Sequence, residues 1–86
     1  MKFNDIIVNR AERFSIGVTD EGQHYVAIPV SNPYLDYEEY YAIDQASFDR
    51  FCADPTLARD LVGQCRRREV DHLLIVPPGR LRGTPV

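Results

Sequence analysis

Phe14-Ser15-Ile16-Gly17-Val18-Thr19, Asp20-Glu21-Gly22-Gln23, then His24-Tyr25-Val26-Ala27-Ile28-Pro29-Val30: the reading of this stretch decides the fold. Phe14, Ile16 and Val18 alternate with Ser15, Gly17 and Thr19, the period of a strand with one buried face. Gly22 can supply the positive φ of a tight hairpin turn. The alternation then resumes, with Val26, Ile28 and Val30 on one face and Tyr25, Ala27 and Pro29 on the other. Pro29 cannot donate to a ladder, which places this strand at a sheet edge or gives it a break there.

Outward from this hairpin, Ser31-Asn32-Pro33 has the chemistry of a loop. Asp36 to Ile43 reads as a third strand, because a helix there would stack Asp36 over Tyr40 and leave no apolar stripe. Asp44 can cap a short helix carrying Ala46, Phe48, Phe51 and Cys52. Asp54-Pro55 is a second start signal, an N-cap acid followed by proline at the first helical position. Leu57, Ala58, Leu61, Val62 and Cys65 form the stripe of an amphipathic helix expected to bury Leu57, Leu61 and Cys65 against the sheet. Gly63 weakens this helix by ~1 kcal/mol relative to alanine. Arg66, Arg67 and Arg68 fall in its last turn, where cations complement exposed carbonyls. His72 to Val76, stopped by Pro77-Pro78-Gly79, reads as a final strand, and Ile6-Ile7-Val8 as either a strand or an anchoring segment. The expected fold is α+β: a small antiparallel sheet of three to four strands with one or two helices packed on one face. Residues 1–76 make the domain, and residues 77–86 a Pro/Gly/Arg-rich C-terminal tail with little regular structure.

The chain has 86 residues, enough for one domain. No apolar run approaches the ~20 residues of a membrane span. The first residues hold no apolar stretch of roughly 7–15 residues before a cleavage site. A cytoplasmic location without membrane association follows as the expectation. Residues 1–54 carry a net charge of −6 and residues 55–86 a net of +3, which together give the −3 of the whole. Either the two halves face each other in the fold, or each end has a partner of opposite charge.

Cys52 and Cys65 lack C-x-x-C spacing and fall on apolar helix faces, so free buried thiols are expected. His24 and His72 have no metal-ligand spacing, and neither metal nor cofactor is expected. Ser47, Asp71 and His72 make no triad, since adjacent residues on a strand point to opposite faces. Gly79 and Gly83 bracket Arg80-Leu81-Arg82 without the lysine and hydroxyl of a phosphate loop. No enzyme activity is expected. Arg66, Arg67, Arg68, Arg80 and Arg82 form a possible second surface. Nucleic acid is an unfavoured partner for it, because the chain is acidic (pI 5.2) and these arginines lack interleaved aromatics.

Tyr34-Leu35-Asp36-Tyr37-Glu38-Glu39-Tyr40-Tyr41 is the strongest feature. In a strand, Tyr37, Glu39 and Tyr41 share one face and Glu38 and Tyr40 the other. Tyrosine offers large rigid contact area, and carboxylates offer steering and sites for arginine. Tyr34, Asp36, Tyr37, Glu38, Glu39, Tyr40 and Tyr41 are therefore the candidate surface for a basic protein. The alternative is that the tyrosines finish the core while the acids are solvated.

This segment, with Phe48–Phe51, Asp54-Pro55, Cys65-Arg66-Arg67-Arg68-Glu69 and Pro78-Gly79-Arg80-Leu81-Arg82-Gly83-Thr84-Pro85, resembles small bacterial proteins of unassigned activity. Some of these look like the immunity partners of polymorphic or contact-dependent toxins. The resemblance covers roughly residues 14–86 and implies a non-catalytic protein that binds and blocks a cognate toxin domain. It carries over no contact residue. The alternatives are a structural or adaptor module that forms a homodimer through a sheet edge, and a nucleic-acid regulator using the arginines.

Overall fold

Alternating side chains in the first half of the chain pair four strands in sequence, and a computed structural model describes residues 1–86 of the result. Strands β1 (Phe3–Asn9), β2 (Phe14–Thr19), β3 (His24–Ser31) and β4 (Asp36–Ala42) form an antiparallel sheet in the order β1-β2-β3-β4. Helices α1 (Gln45–Ala53) and α2 (Arg59–Arg66) cover one face, and a two-residue strand β5 (Thr84–Pro85) pairs with β3. This is the expected α+β fold.

The central register sets Ile16 against Val26 and Val26 against Tyr41, so successive strands direct the same parity of residue at the helices. Those side chains meet Phe51, Ala58, Val62 and Cys65 in one core. In the hairpin turn, Gly22 has φ +85°, and the Thr19 hydroxyl accepts from the amides of Glu21 and Gln23. The Asp44 carboxylate caps α1 by accepting from the Ser47 amide at 2.7 Å. Asp54 does the same for Thr56, with Pro55 behind it.

Pro29 lies in a central strand. Its nitrogen faces the line occupied first by β2, whose pairing with β3 ends at Ala27, and then by β5, whose pairing begins at Val30. No ladder donor is required in that gap, and the Val86 amide donates to the Pro29 carbonyl. The break explains the proline; the edge does not.

The sequence pattern misplaces two features and leaves two others for the structure to complete. β1 is a full strand, but a bulge between Asp5 and Ile7 inserts an extra residue. The period of two is lost there, and Ile6 and Val8 are exposed while Ile7 packs on the core. Leu57 is 53% exposed, not buried, and Leu61 is half-buried. Pro55–Ala58 forms a 3-10 turn, whose tighter winding rotates Leu57 off the face that Ala58, Val62 and Cys65 continue. His72–Val76 is not a strand: a 3-10 turn spans Asp71–Leu73, and only Leu74 bridges to Tyr41. Leu73 and Leu74 pack on the core there, and Pro77 and Pro78 supply no amide donor to extend the pairing. Finally, the segment after Pro77 has little regular structure, as expected, but its two-residue strand β5 returns it to the sheet.

Candidate functional site

β4 follows directly from the loop Asn32–Leu35, and its alternation divides the tyrosine–acid segment between two faces. Glu39 and Tyr41 face the helices and are buried, with Glu39 only 6% exposed. The Tyr41 hydroxyl donates to Glu39 at 2.8 Å. Burial, with the neighbouring carboxylate, pushes the Tyr41 hydroxyl above its usual range. Arg82 bonds Glu39 through Nε at 2.7 Å and Asp71 through both terminal nitrogens at 2.7 and 2.9 Å. The guanidinium thereby holds the Asp71 carboxyl below the usual carboxylate range. The next residue is also fixed: the Gly83 amide donates to the Tyr37 hydroxyl at 2.6 Å, and its carbonyl accepts from Arg68 at 2.8 Å. A Cβ on Gly83 would lie 2.9 Å from the Ser31 backbone, so only glycine fits this approach. Two members of the candidate surface, Tyr37 and Glu39, thus clamp the C-terminal segment, and a third, Tyr41, is bonded to Glu39 behind them.

Tyr40 and Glu38 occupy the other face. The Tyr40 ring stacks on Phe3 of β1 (centroids 3.6 Å, 14° between planes) and meets the edge of Tyr25 at 5.0 Å. A flat sheet would hold β1 and β4 some ~14 Å apart. The contact shows how strongly the sheet curls around this face. Tyr25 donates to Asp5 at 2.6 Å and Tyr40 to Glu38 at 3.0 Å. Burial and these carboxylates raise both hydroxyls above their ordinary range. Further along this face, the Ser15 hydroxyl is buried with no hydrogen-bond partner.

What remains accessible is the free edge of β4 and the loop before it. Asn32 accepts from the amides of Tyr34 and Leu35 at 2.8 and 2.9 Å, and its amide donates to the Leu81 carbonyl at 2.8 Å. This Asx turn ties the loop to the returning C-terminal segment. It presents Tyr34, 76% exposed, next to Leu35 in the chain, and Leu35 lines one groove with exposed Val76 and Leu81. Between this patch and the edge of β4 runs a groove of 460 Å³ that also reaches Glu38 and Pro78. Asp36 is exposed and Glu38 partly so, and neither is paired with a cation.

The arginine cluster is largely engaged within the fold. Arg66 donates to the carbonyls of Glu12 and Arg13, Arg67 pairs with Glu69, and Arg59 pairs with Glu12 at 2.6 Å. Arg68 occupies the left-handed position that closes α2 (φ 58°), where glycine is usual, and its side chain reaches Gly83. Arg80 is exposed. The basic and acidic halves therefore do face each other. Cys52 and Cys65 are free, and burial pushes the Cys65 thiol up to about 12. No three His, Cys, Asp or Glu side chains are grouped as metal ligands, and no helix is long and apolar enough to cross a membrane.

The Arg82–Glu39–Asp71 cluster and the Phe3–Tyr25–Tyr40 stack escape sequence reasoning. The first joins residues far apart in the chain through a segment whose prolines and glycines read as irregular. The second depends on a strand whose periodicity the bulge hides. No protein-family model, no curated protein and no solved structure matches the chain.

Proposed function

We propose that this chain is a non-catalytic cytoplasmic binding protein of the immunity type, which blocks a cognate toxin by covering a basic active-site rim. The observation that supports the reading is the juxtaposition at the β4 edge. The unpaired carboxylate of Glu38 shares a groove with exposed Leu35, Val76 and Leu81, and exposed Tyr34 and Asp36 flank Leu35 in the chain. An apolar and aromatic centre next to uncompensated charge suits a surface that steers a basic partner and then excludes water from the contact. The binding surface is smaller than the whole tyrosine–acid segment, because Tyr37, Glu39 and Tyr41 serve the clamp and Tyr40 the aromatic stack.

The test uses the product of the adjacent gene. Co-expression should relieve its toxicity, and association should be measured with purified proteins at two salt concentrations. Asp36→Lys with Glu38→Lys should slow association at low salt and lose its effect at high salt, as the Debye length shortens to a few ångströms. Tyr34→Ala with Leu35→Ala should instead speed dissociation. Wild-type rates for both pairs would overturn the reading. Glu39 is no part of this test, since reversing its charge would break the buried pair with Arg82.

A second reading, self-association through a sheet edge, has its own support in β1, an edge strand that exposes Ile6 and Val8. A dimer in light scattering that Ile6→Lys dissociates would favour it.

A further inference from the structure

The fold begins a strand addition at the edge of β4 and abandons it after two residues. Leu74 bridges Tyr41 in antiparallel register, and the Ile75 amide donates to the Tyr40 carbonyl at 2.9 Å. The backbone polar groups of Tyr40 therefore point away from β3. By the alternation of an antiparallel strand, those of Glu38 and Asp36 do too. Continued in the same register, Pro77 would stand opposite Glu38, at the position that must donate to the Glu38 carbonyl. Proline has no such donor. The segment leaves the sheet there, and the groove opens between Glu38 on one side and Val76, Pro77 and Pro78 on the other.

The opposite edge of the sheet is treated differently. β1 carries the bulge at Asp5/Ile7, a device that disrupts edge pairing. No register shift interrupts β4 from Asp36 to Ala42. Along this edge Arg82 neutralises Glu39, while Asp36 and Glu38 form no ion pair; Arg10 and Arg13 line the hollow behind Glu38 without reaching it. Leu35, Val76 and Leu81 give apolar contact area beside it.

We infer that the free edge of β4 at Asp36–Glu38 accepts an extended segment of the partner protein as an added strand, one that carries lysine or arginine. The inference rests on the binding role proposed above and deepens it, by assigning main-chain hydrogen bonds to the contact and a basic, extended conformation to the partner. Main-chain pairing supplies affinity, and the carboxylates and apolar wall select the side chains.

The probe is a capped hexapeptide of alternating lysine and valine, with two derivatives N-methylated at alternate amides, one in each phase. N-methylation removes donors from one edge of the peptide and leaves its charge unchanged. The parent peptide should bind at low salt and slow hydrogen exchange at the Glu38 amide. One methylated phase should bind about tenfold more weakly or worse, since a buried acceptor loses its donor, while the other phase, altered on its solvent edge, should bind like the parent. Glu38→Gln with Asp36→Asn should weaken the parent and leave the contrast between phases intact. Equal binding of all three peptides would overturn strand addition while leaving capture by charge and apolar contact standing. Absence of binding by the parent would also overturn it, and the toxin association rates would then decide the broader reading separately.

Discussion

Ser15 is the one side chain that the fold buries without satisfying. Its hydroxyl sits on the curled face of β2, 3% exposed and without a partner. A hydroxyl in that state keeps its desolvation cost and returns nothing, so Ser15→Ala should leave stability unchanged or raise it by up to ~1–3 kcal/mol. Denaturant melts would check this, and a loss of more than about 1 kcal/mol would mean that the hydroxyl has a partner after all. On the neighbouring strand β3, Tyr25 lies directly across Gly17, where a Cβ would collide with the Asn4 carbonyl and fall 2.5 Å from the Tyr25 hydroxyl oxygen. The sequence shows Gly17 as a gap in an alternating strand; the structure shows the space as that of the Tyr25 ring.

At the scale of elements, the helix pair shows how a correct periodicity can still give a wrong face. Asp54-Pro55 marks a helical start, and the apolar residues after it are spaced for an α-helix. The chain instead makes one 3-10 turn first, and the phase of the stripe advances. Val62 is consequently buried where Leu57 is not. Val62→Ala should therefore cost ~1–3 kcal/mol as a core truncation, whereas Leu57→Ala should stay within about 0.5 kcal/mol of the wild type. Urea melts of both variants would check the assignment, and the reverse order would place Leu57 in the core. β1 teaches the same lesson for strands. A single bulged residue turns Ile6-Ile7-Val8 from an alternating pattern into a run that reads equally as strand or anchor.

Over the whole molecule, charge pairing between distant parts of the chain holds the C-terminal segment in place. Arg82, 14% exposed, neutralises Glu39 in the sheet and Asp71 after α2. Arg82→Ala would leave Glu39 buried without its cation and should cost ~3–5 kcal/mol, releasing β5 with it. Acid should act along the same line. Asp71 is held down by its bonds to Arg82, Glu12 by Arg59, Glu69 by Arg67, and Asp44 by the Ser47 amide. Each has a folded-state pKa below its unfolded value, so the unfolded chain takes up protons first as pH falls. Their stabilisation is present above the unfolded carboxylate range of ~4 and is lost as pH descends through the lower folded values. Thermal melts from neutral pH to about pH 2 should show this decline, and Asp71→Asn should make it shallower. A decline equally steep in that variant would remove Asp71 from the account.

The sequence by itself determined the hairpin, its turn at Gly22, the strand character of Asp36–Ala42 and the capped helix starts at Asp44 and Asp54. Each rests on contacts within a few residues, where propensity, capping and period act directly. It also determined the division of the tyrosine–acid segment into two parities. Only the tertiary structure decided which parity would be buried. That choice depends on the side to which Glu39 meets Arg82, some forty residues later, and on the curl that brings Phe3 onto Tyr40. The free edge of β4 was likewise invisible, because it exists by default where Pro77 declines a hydrogen bond to Glu38. A local pattern records what a residue prefers, whereas an unpaired edge records what every other segment of the chain fails to supply.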